Sequence, residues 1–213
     1  MKKTIDYESL KGENNPLLKY PVLYDTALEE FASKPYNDAS LNEIIKKSGM
    51  SKGSIYHHFG DKFGLLISLL DILVKKKTDF FLPRLKETSQ SEDFFNSLKI
   101  VTHLTMEYML EQPLNYKLSL MLLEYDPELM REIIEYFPFD FDNGFGPLLK
   151  SAVVNKQIRE DIPEEFVIKL IKLIFTNINN IVTGKSPEEV QITFDIVMDV
   201  LKNGIASNER RNK

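Results

Sequence analysis

Apolar residues recur along this chain at spacings of three and four, and no stretch shows convincing period-two alternation. That periodicity sets one helix face after another against a core, so the pattern predicts an all-α protein. A first helix carries Leu23, Ala27 and Phe31; Pro16, following Asn15, starts it, and Pro35 ends it by restricting the residue before it. The second opens on Ser40-Leu41-Asn42-Glu43, a capping box in which the serine hydroxyl accepts from an orphan N–H and the glutamate carboxylate reaches back. Leu41, Ile44 and Ile45 give it one apolar face, and Gly49 stands where a chain leaving a helix commonly needs positive φ. Ser51 caps a short third helix that Gly60 ends, and Asp61 caps a fourth.

Beyond Lys62 the helices lengthen. They run to Pro83, over residues 92–112, from 114 to the break at Asp126-Pro127, and over 127–137. Residues 138–147, PFDFDNGFGP, hold too many turn formers to continue a helix and are expected as a loop or kink. Another helix covers roughly 145–156, and two strong ones close the chain, from Pro163 to near Gly184 and from Ser186-Pro187 to Gly204. The expected organisation is a flexible arm at 1–18, a three-helix unit with helix-turn-helix spacing at 19–62, a linking helix at 63–82, a helical body at 83–206 and a tail at 207–213.

The third helix, SKGSIYHHF over 51–59, has an unusual content. On a helical wheel at about 100° per residue, with Ile55 toward the core, Phe59 and Ser51 fall within about 40° of it. Gly53 and His57 point nearly opposite, flanked by Tyr56 and Ser54, with Lys52 toward one edge. The outward face thus carries hydrogen-bonding groups, an amphipathic ring and a glycine that permits close backbone approach, which suits a DNA groove. Lysine can donate to guanine O6 and N7, serine and histidine can bond base edges or phosphates, and tyrosine can pack on a thymine methyl. Lys62 lies in the first turn of the fourth helix, where free N–H groups already favour a phosphate.

Charge changes this picture only locally. The net charge of -5 excludes a general coat for nucleic acid. Residues 1–62 nevertheless balance, nine lysines against nine acids, and 40–62 turn positive. A neutral-to-basic head on an acidic body can bind DNA at one place. The chain has no cysteine, so thiolate chemistry and disulfides are excluded, in keeping with a reducing compartment. No apolar run approaches the roughly 18 residues that span a bilayer, and the N-terminus lacks the apolar core of a signal peptide, so a cytoplasmic location without membrane partners is expected.

Residues 25–70, DTALEEFASKPYNDASLNEIIKKSGMSKGSIYHHFGDKFGLLISLL, resemble the N-terminal domain of the TetR family of transcriptional regulators over about a fifth of the chain. The resemblance implies a homodimer of all-helical subunits, each with a three-helix DNA-binding head, a linking helix, a ligand-binding body and a final helix pair at the dimer interface. Family DNA contacts then map to Ser40, Lys52, Ser54, Tyr56, His57, His58 and Lys62. Three positions depart from the family's pattern: Pro21, which delays or kinks the first helix, Pro35 in place of a glycine, and Ile45 in place of an alanine where helices pack closely. The implied function is a repressor that a small-molecule effector releases from double-stranded operator DNA, with no cofactor and no metal.

In the body, the last helix is apolar on two sides. Val190, Phe194, Val197 and Leu201 form one stripe, and Ile192, Ile196 and Val200 a second, about 120 to 170° away. Two neighbours are therefore needed, and by pattern alone a central helix in a monomeric bundle looks the same as a dimer helix. The preceding helix adds Val167, Leu170, Ile174 and Ile178 to one or other surface, and the resemblance favours the dimer. Candidate effector contacts are His103, Met106, Glu107, Met109, Tyr116 and Met121, since methionine and tyrosine line adaptable cavities, although each also fits ordinary core packing. His103 and Glu107, one turn apart, are ligand handles, a mutually satisfied pair, or half of a metal site that lacks its other ligands. Phe137, Phe139, Phe141 and Phe145 wall a pocket or pin a loop.

Other classes fit less well. Ser51, His57 and Asp61 can be drawn as a hydrolase triad, but one short helix points the serine and histidine to different sides. DFDNG echoes a calcium loop, yet glycine falls at the fifth position and no glutamate stands at the twelfth. A helical interaction module explains residues 80–213 and leaves the head unexplained.

Overall fold

The computed structural model describes residues 6–88, 93–138, 146–176, 181 and 187–205, and among these its regular elements are helices joined by turns and loops. The helices are α1 (Pro21–Ser33), α2 (Leu41–Ser48), α3 (Lys52–Phe59), α4 (Lys62–Thr88), α5 (Phe94–Glu111), α6 (Pro113–Leu123), α7 (Pro127–Tyr136), α8 (Gly146–Val154), α9 (Glu164–Thr176) and α10 (Pro187–Ile205). Phe139, Phe141, Phe145, Ile178 and Gly184, all named in the sequence reading, lie outside the described residues.

Local chemistry sets most ends. Pro21 occupies the first turn of α1, where its missing N–H costs nothing, so the helix starts there and not at Pro16, which begins a short 3-10 turn. Ser51 accepts the Ser54 N–H at 3.1 Å to cap α3. Gly49 and Gly60, at φ 70° and 78°, end α2 and α3 in a region that side chains disfavour. Pro83 does not end α4: it lies inside the helix, which continues to Thr88 with the Asp79 carbonyl deprived of its N–H donor.

The capping box forms by half. Ser40 accepts the Glu43 N–H at 3.3 Å, but its own N–H donates to Glu30 Oε1 at 2.9 Å and not to Glu43. Glu30 comes from α1, ten residues back, is almost wholly buried, and also accepts from Lys34 Nζ at 2.7 Å. Burial alone pushes this carboxyl up; the Lys34 ammonium and the Ser40 N–H outweigh it and hold the group below its ordinary value.

The expected arm is also anchored. Residues 7–10, 12–14 and 16–19 form 3-10 turns that bury Leu10 and Leu17. The Tyr7 hydroxyl donates to Asp61 Oδ2 at 2.6 Å, Asn15 Nδ2 to the Ser68 carbonyl at 2.7 Å, and Lys11 Nζ to the Tyr136 carbonyl at 2.6 Å. Irregular spacing hid these anchors, because 3-10 turns do not repeat an apolar face every 3.6 residues.

Two compact units result, and neither is continuous in sequence. One joins residues 1–80 to 111–138, the other 81–110 to 139–213. In the first, Leu23, Phe31, Ile44, Ile55, Phe59 and Leu66 share a core with Leu118, Tyr125, Leu129 and Ile133, so α6 and α7 pack with the head and not within a separate body at 83–206. In the second, Phe94, Phe95 and Leu98 meet Leu149, Val167, Ile171, Met198 and Leu201. Here Gln157 Oε1, buried, accepts the Phe94 N–H at 2.6 Å.

Two predictions test these supports. Glu30→Gln should cost about 1.5–3 kcal/mol in chemical denaturation at pH 7, the range for a hydrogen bond to a charged group. Because the folded carboxyl titrates below the ordinary value of about 4.3, its contribution is present above that pH and is lost as pH falls through the folded value, so the gap to wild type should close below about pH 4. Gly64→Ala should destabilise by about 1–3 kcal/mol or more in thermal unfolding, since an added Cβ would fall far inside contact distance of the Phe59 carbonyl oxygen and 3.0 Å from the Tyr7 ring.

Candidate nucleic-acid interface

Two turns of helix are too short to stand alone in water, so α3 is held by what lies beneath it. Ile55 and Phe59, four residues apart, are both 0% exposed and pack with Ile44 of α2 and Phe31 of α1. With that underside fixed, Lys52, Gly53, Tyr56 and His57 face outward, and Ser54 is half-buried. Tyr56 is 45% exposed, and Lys52 Nζ stands 5.8 Å from the centre of its ring. A Cβ added at Gly53 would meet nothing nearer than the Ser51 hydroxyl at 4.0 Å, so space is open there. Ser51 is exposed as the cap, and not turned toward the core.

Three residues expected at DNA are engaged within the protein. Lys62 Nζ donates to the carbonyls of Tyr36 (2.6 Å), Ala39 (3.0 Å) and Asn37 (3.4 Å), and sits 4.3 Å from the centre of the Tyr36 ring. An ammonium has three N–H donors, so the loop between α1 and α2 takes all of them, and no donor is left over for a phosphate in this arrangement. Desolvation lowers the pKa of this lysine. His58 is half-buried and shares a 3.0 Å hydrogen bond through Nε2 with the Tyr20 hydroxyl, just before α1. Ser40 is half-buried: its N–H donates to Glu30, and its hydroxyl oxygen accepts the Glu43 N–H. Glu30, Tyr20 and Tyr36 were not legible as partners because nothing local marks which side chain will lie across from a loop.

The triad drawing fails on geometry. The Ser51 hydroxyl accepts the Ser54 N–H, and the two Asp61 oxygens accept from Tyr7 and from the Gly64 N–H at 2.9 Å. Among the described residues no three His, Cys, Asp or Glu side chains converge on a metal position. Nor is any helix among them long and apolar enough to cross a membrane.

The body candidates separate. His103 is exposed, Glu107 half-buried, and no ion pair joins them among the described residues; Met106 and Met109 are buried in the second unit. Tyr116 and Met121 belong to the first unit, where burial raises the Tyr116 hydroxyl and Met121 packs against the core. Val167 is fully buried in its own core, and Leu170 and Ile174 pack against that core while staying partly exposed. Ile192, Ile196 and Val200 are 61, 58 and 65% exposed along one side of α10. On α9 the exposed apolar residues are Phe166 and Leu173, 56 and 63%, which the sequence reading missed. Their spacing of seven, offset from Val167 and Ile171, was the available signal.

Residues 23–69 match the family model described as bacterial regulatory proteins, tetR family. The uncharacterized HTH-type transcriptional regulator YuxN of Bacillus subtilis strain 168 is 41% identical over 58 residues, which span 27% of this chain and 20% of that protein. The HTH-type transcriptional repressor AcnR of Corynebacterium glutamicum is 25% identical over 196 residues, 89% of this chain and 95% of its own. The TetR family protein CprB of Streptomyces coelicolor, solved in complex with its biological operator sequence, shares the fold at a TM-score of 0.62 and 17% identity, over 92% of this chain and 93% of its own. Residues 23–69 thus match the head of the TetR family's model, and the all-helical fold is one that solved TetR-family proteins share.

Proposed function

We propose that the chain is a ligand-responsive, sequence-specific DNA-binding homodimer, a repressor that a small-molecule effector releases from a near-palindromic operator. The observation that carries this reading is the division of α3 into a buried aliphatic and aromatic underside and an open upper face of Lys52, Gly53, Tyr56 and His57. A rigid, two-turn helix with donors and a ring outward and a glycine that admits close approach has the chemistry of major-groove readout. The fold it shares with a protein solved on its operator supports the same orientation. In this reading His58 ties α3 to Tyr20, and Lys62 ties the loop between α1 and α2 to the start of α4.

The exposed stripe Ile192, Ile196 and Val200, with Phe166 and Leu173, suits a second copy of the chain, since apolar side chains of that size gain by leaving water. Two heads then meet half-sites about 34 to 36 Å apart. An effector favouring another head spacing lowers operator affinity, and by linkage operator lowers effector affinity by the same factor.

Operator duplexes selected from the source genome and titrated by fluorescence anisotropy test this. Lys52→Ala should cost about 1–3 kcal/mol on the selected operator and little on unrelated duplex; an equal loss on both would make Lys52 a phosphate contact only. Gly53→Leu should keep the melting temperature yet bind operator roughly tenfold or more weakly, because its side chain enters open space on the groove-facing side. Ile196→Asp should convert a dimer to a monomer in analytical ultracentrifugation and lose operator binding with it; a wild type already monomeric at micromolar concentration would contradict the homodimer.

A further inference from the structure

We propose that Lys77 of α4, positioned by Ser119 of α6, is the headgroup site for an amphipathic monoanion, so that the effector carries a carboxylate or similar group on an apolar body. This rests on the effector reading above and assigns the effector a chemical class.

Lys77 is half-buried, and its Nζ donates to the Ser119 hydroxyl at 2.9 Å. No carboxylate stands within ion-pair distance of it among the described residues, and burial lowers its pKa with no anion opposing the shift. Two other lysines folded onto this unit are compensated. Lys62 meets three carbonyls and a ring, and Lys11 meets the Tyr136 carbonyl, the Glu8 carboxylate at 2.9 Å and the Phe137 ring. A cation taken from water against a single neutral hydroxyl is costly, which an arriving anion would reverse.

The hydroxyl explains the geometry. Ser119 Oγ donates its own hydrogen to the Asn115 carbonyl at 2.9 Å, so it turns a lone pair to Lys77 and has no hydrogen for a ligand. Ser119 is therefore a positioning residue, and two N–H bonds of Lys77 remain for the ligand. The surroundings choose the ligand's body: Leu73 and Phe80, one turn either side on α4, are buried apolar residues, and Tyr116, one turn before Ser119, is half-buried. With the neighbouring Lys76 ammonium engaged by the Tyr24 hydroxyl at 2.9 Å and standing 4.4 Å from the centre of that ring, Lys77 is left as one open ammonium beside apolar side chains, which fits a monoanion with a hydrocarbon body better than a dianionic phosphate, which wants several donors. The same Asn115 accepts from Tyr24 of α1 through Oδ1 at 3.4 Å, so the site adjoins the first helix of the head.

The test uses the full-length protein with sodium decanoate below its micelle concentration, and decanol and decyltrimethylammonium as neutral and cationic controls of equal chain length. At a hundredfold excess over Kd, decanoate should raise the melting temperature by about 5–10 °C and the controls should not. Decanoate should also weaken operator binding tenfold or more. Lys77→Met should lose both responses while the unliganded protein melts at or above wild type, Lys77→Arg should retain them, and Ser119→Ala, which leaves the charge in place, should weaken decanoate several-fold. Equal effects of decanoate and decanol, an operator-binding wild type indifferent to decanoate, or a Lys77→Met protein that melts well below wild type would each overturn the proposal. A wild type that binds no operator but still melts higher with decanoate alone would instead overturn the regulator reading and leave the anion site standing.

Discussion

The burial of Ile55 and Phe59 beneath α3 is the contact on which the rest of the head depends. An eight-residue helix forms only marginally by itself, so both its existence and its direction come from these two side chains filling the space among α1, α2 and the start of α4. Close packing leaves little freedom for the helix to roll, and a roll of one residue would exchange Phe59 for a polar neighbour in the core. The outward face is thus a by-product of the inward one. What α3 presents to its surroundings is whatever remains once two positions are taken by the core.

Polar contacts fix the loop that packs beside this core. Glu30 ties the Ser40 N–H from one side, and Lys62 gathers the carbonyls of residues 36, 37 and 39 from the other. Both are charged groups spending their hydrogen bonds on main-chain atoms of one short connection between α1 and α2. That arrangement explains why a lysine placed by resemblance at a phosphate lies inward here: the turn between Ser33 and Leu41 offers three acceptors within its reach. His58 belongs to the same logic, since its bond to Tyr20 ties the end of α3 to the residue that precedes α1.

The rest of the molecule is built with apolar faces on two sides of its final helices. On α10, Met198, Leu201 and Ile205 close the second unit's core while Ile192, Ile196 and Val200 remain outside it. In the first unit, α6 joins the head's core through Leu118 and carries Ser119 on a neighbouring face toward Lys77. One helix therefore serves both the packing under α3 and the surroundings of Lys77 within one compact unit.

By itself, the sequence determined the helical class, the helix caps at Ser40 and Ser51, the glycine stops at Gly49 and Gly60, and which face of α3 turns inward. These follow from local rules: a cap needs only the residues of its first turn, and a 3.6-residue period needs only one helix. Tertiary structure alone decided that Glu30 completes the cap of Ser40, that Lys62 and His58 bond within the head, that residues 6–19 are anchored, and that α6 and α7 share the head's core. It also turned Val167 inward and left Phe166 and Leu173 outside. Each of these depends on which distant group arrives opposite, and spacing along the chain carries no information about partners that lie ten to a hundred or so residues away.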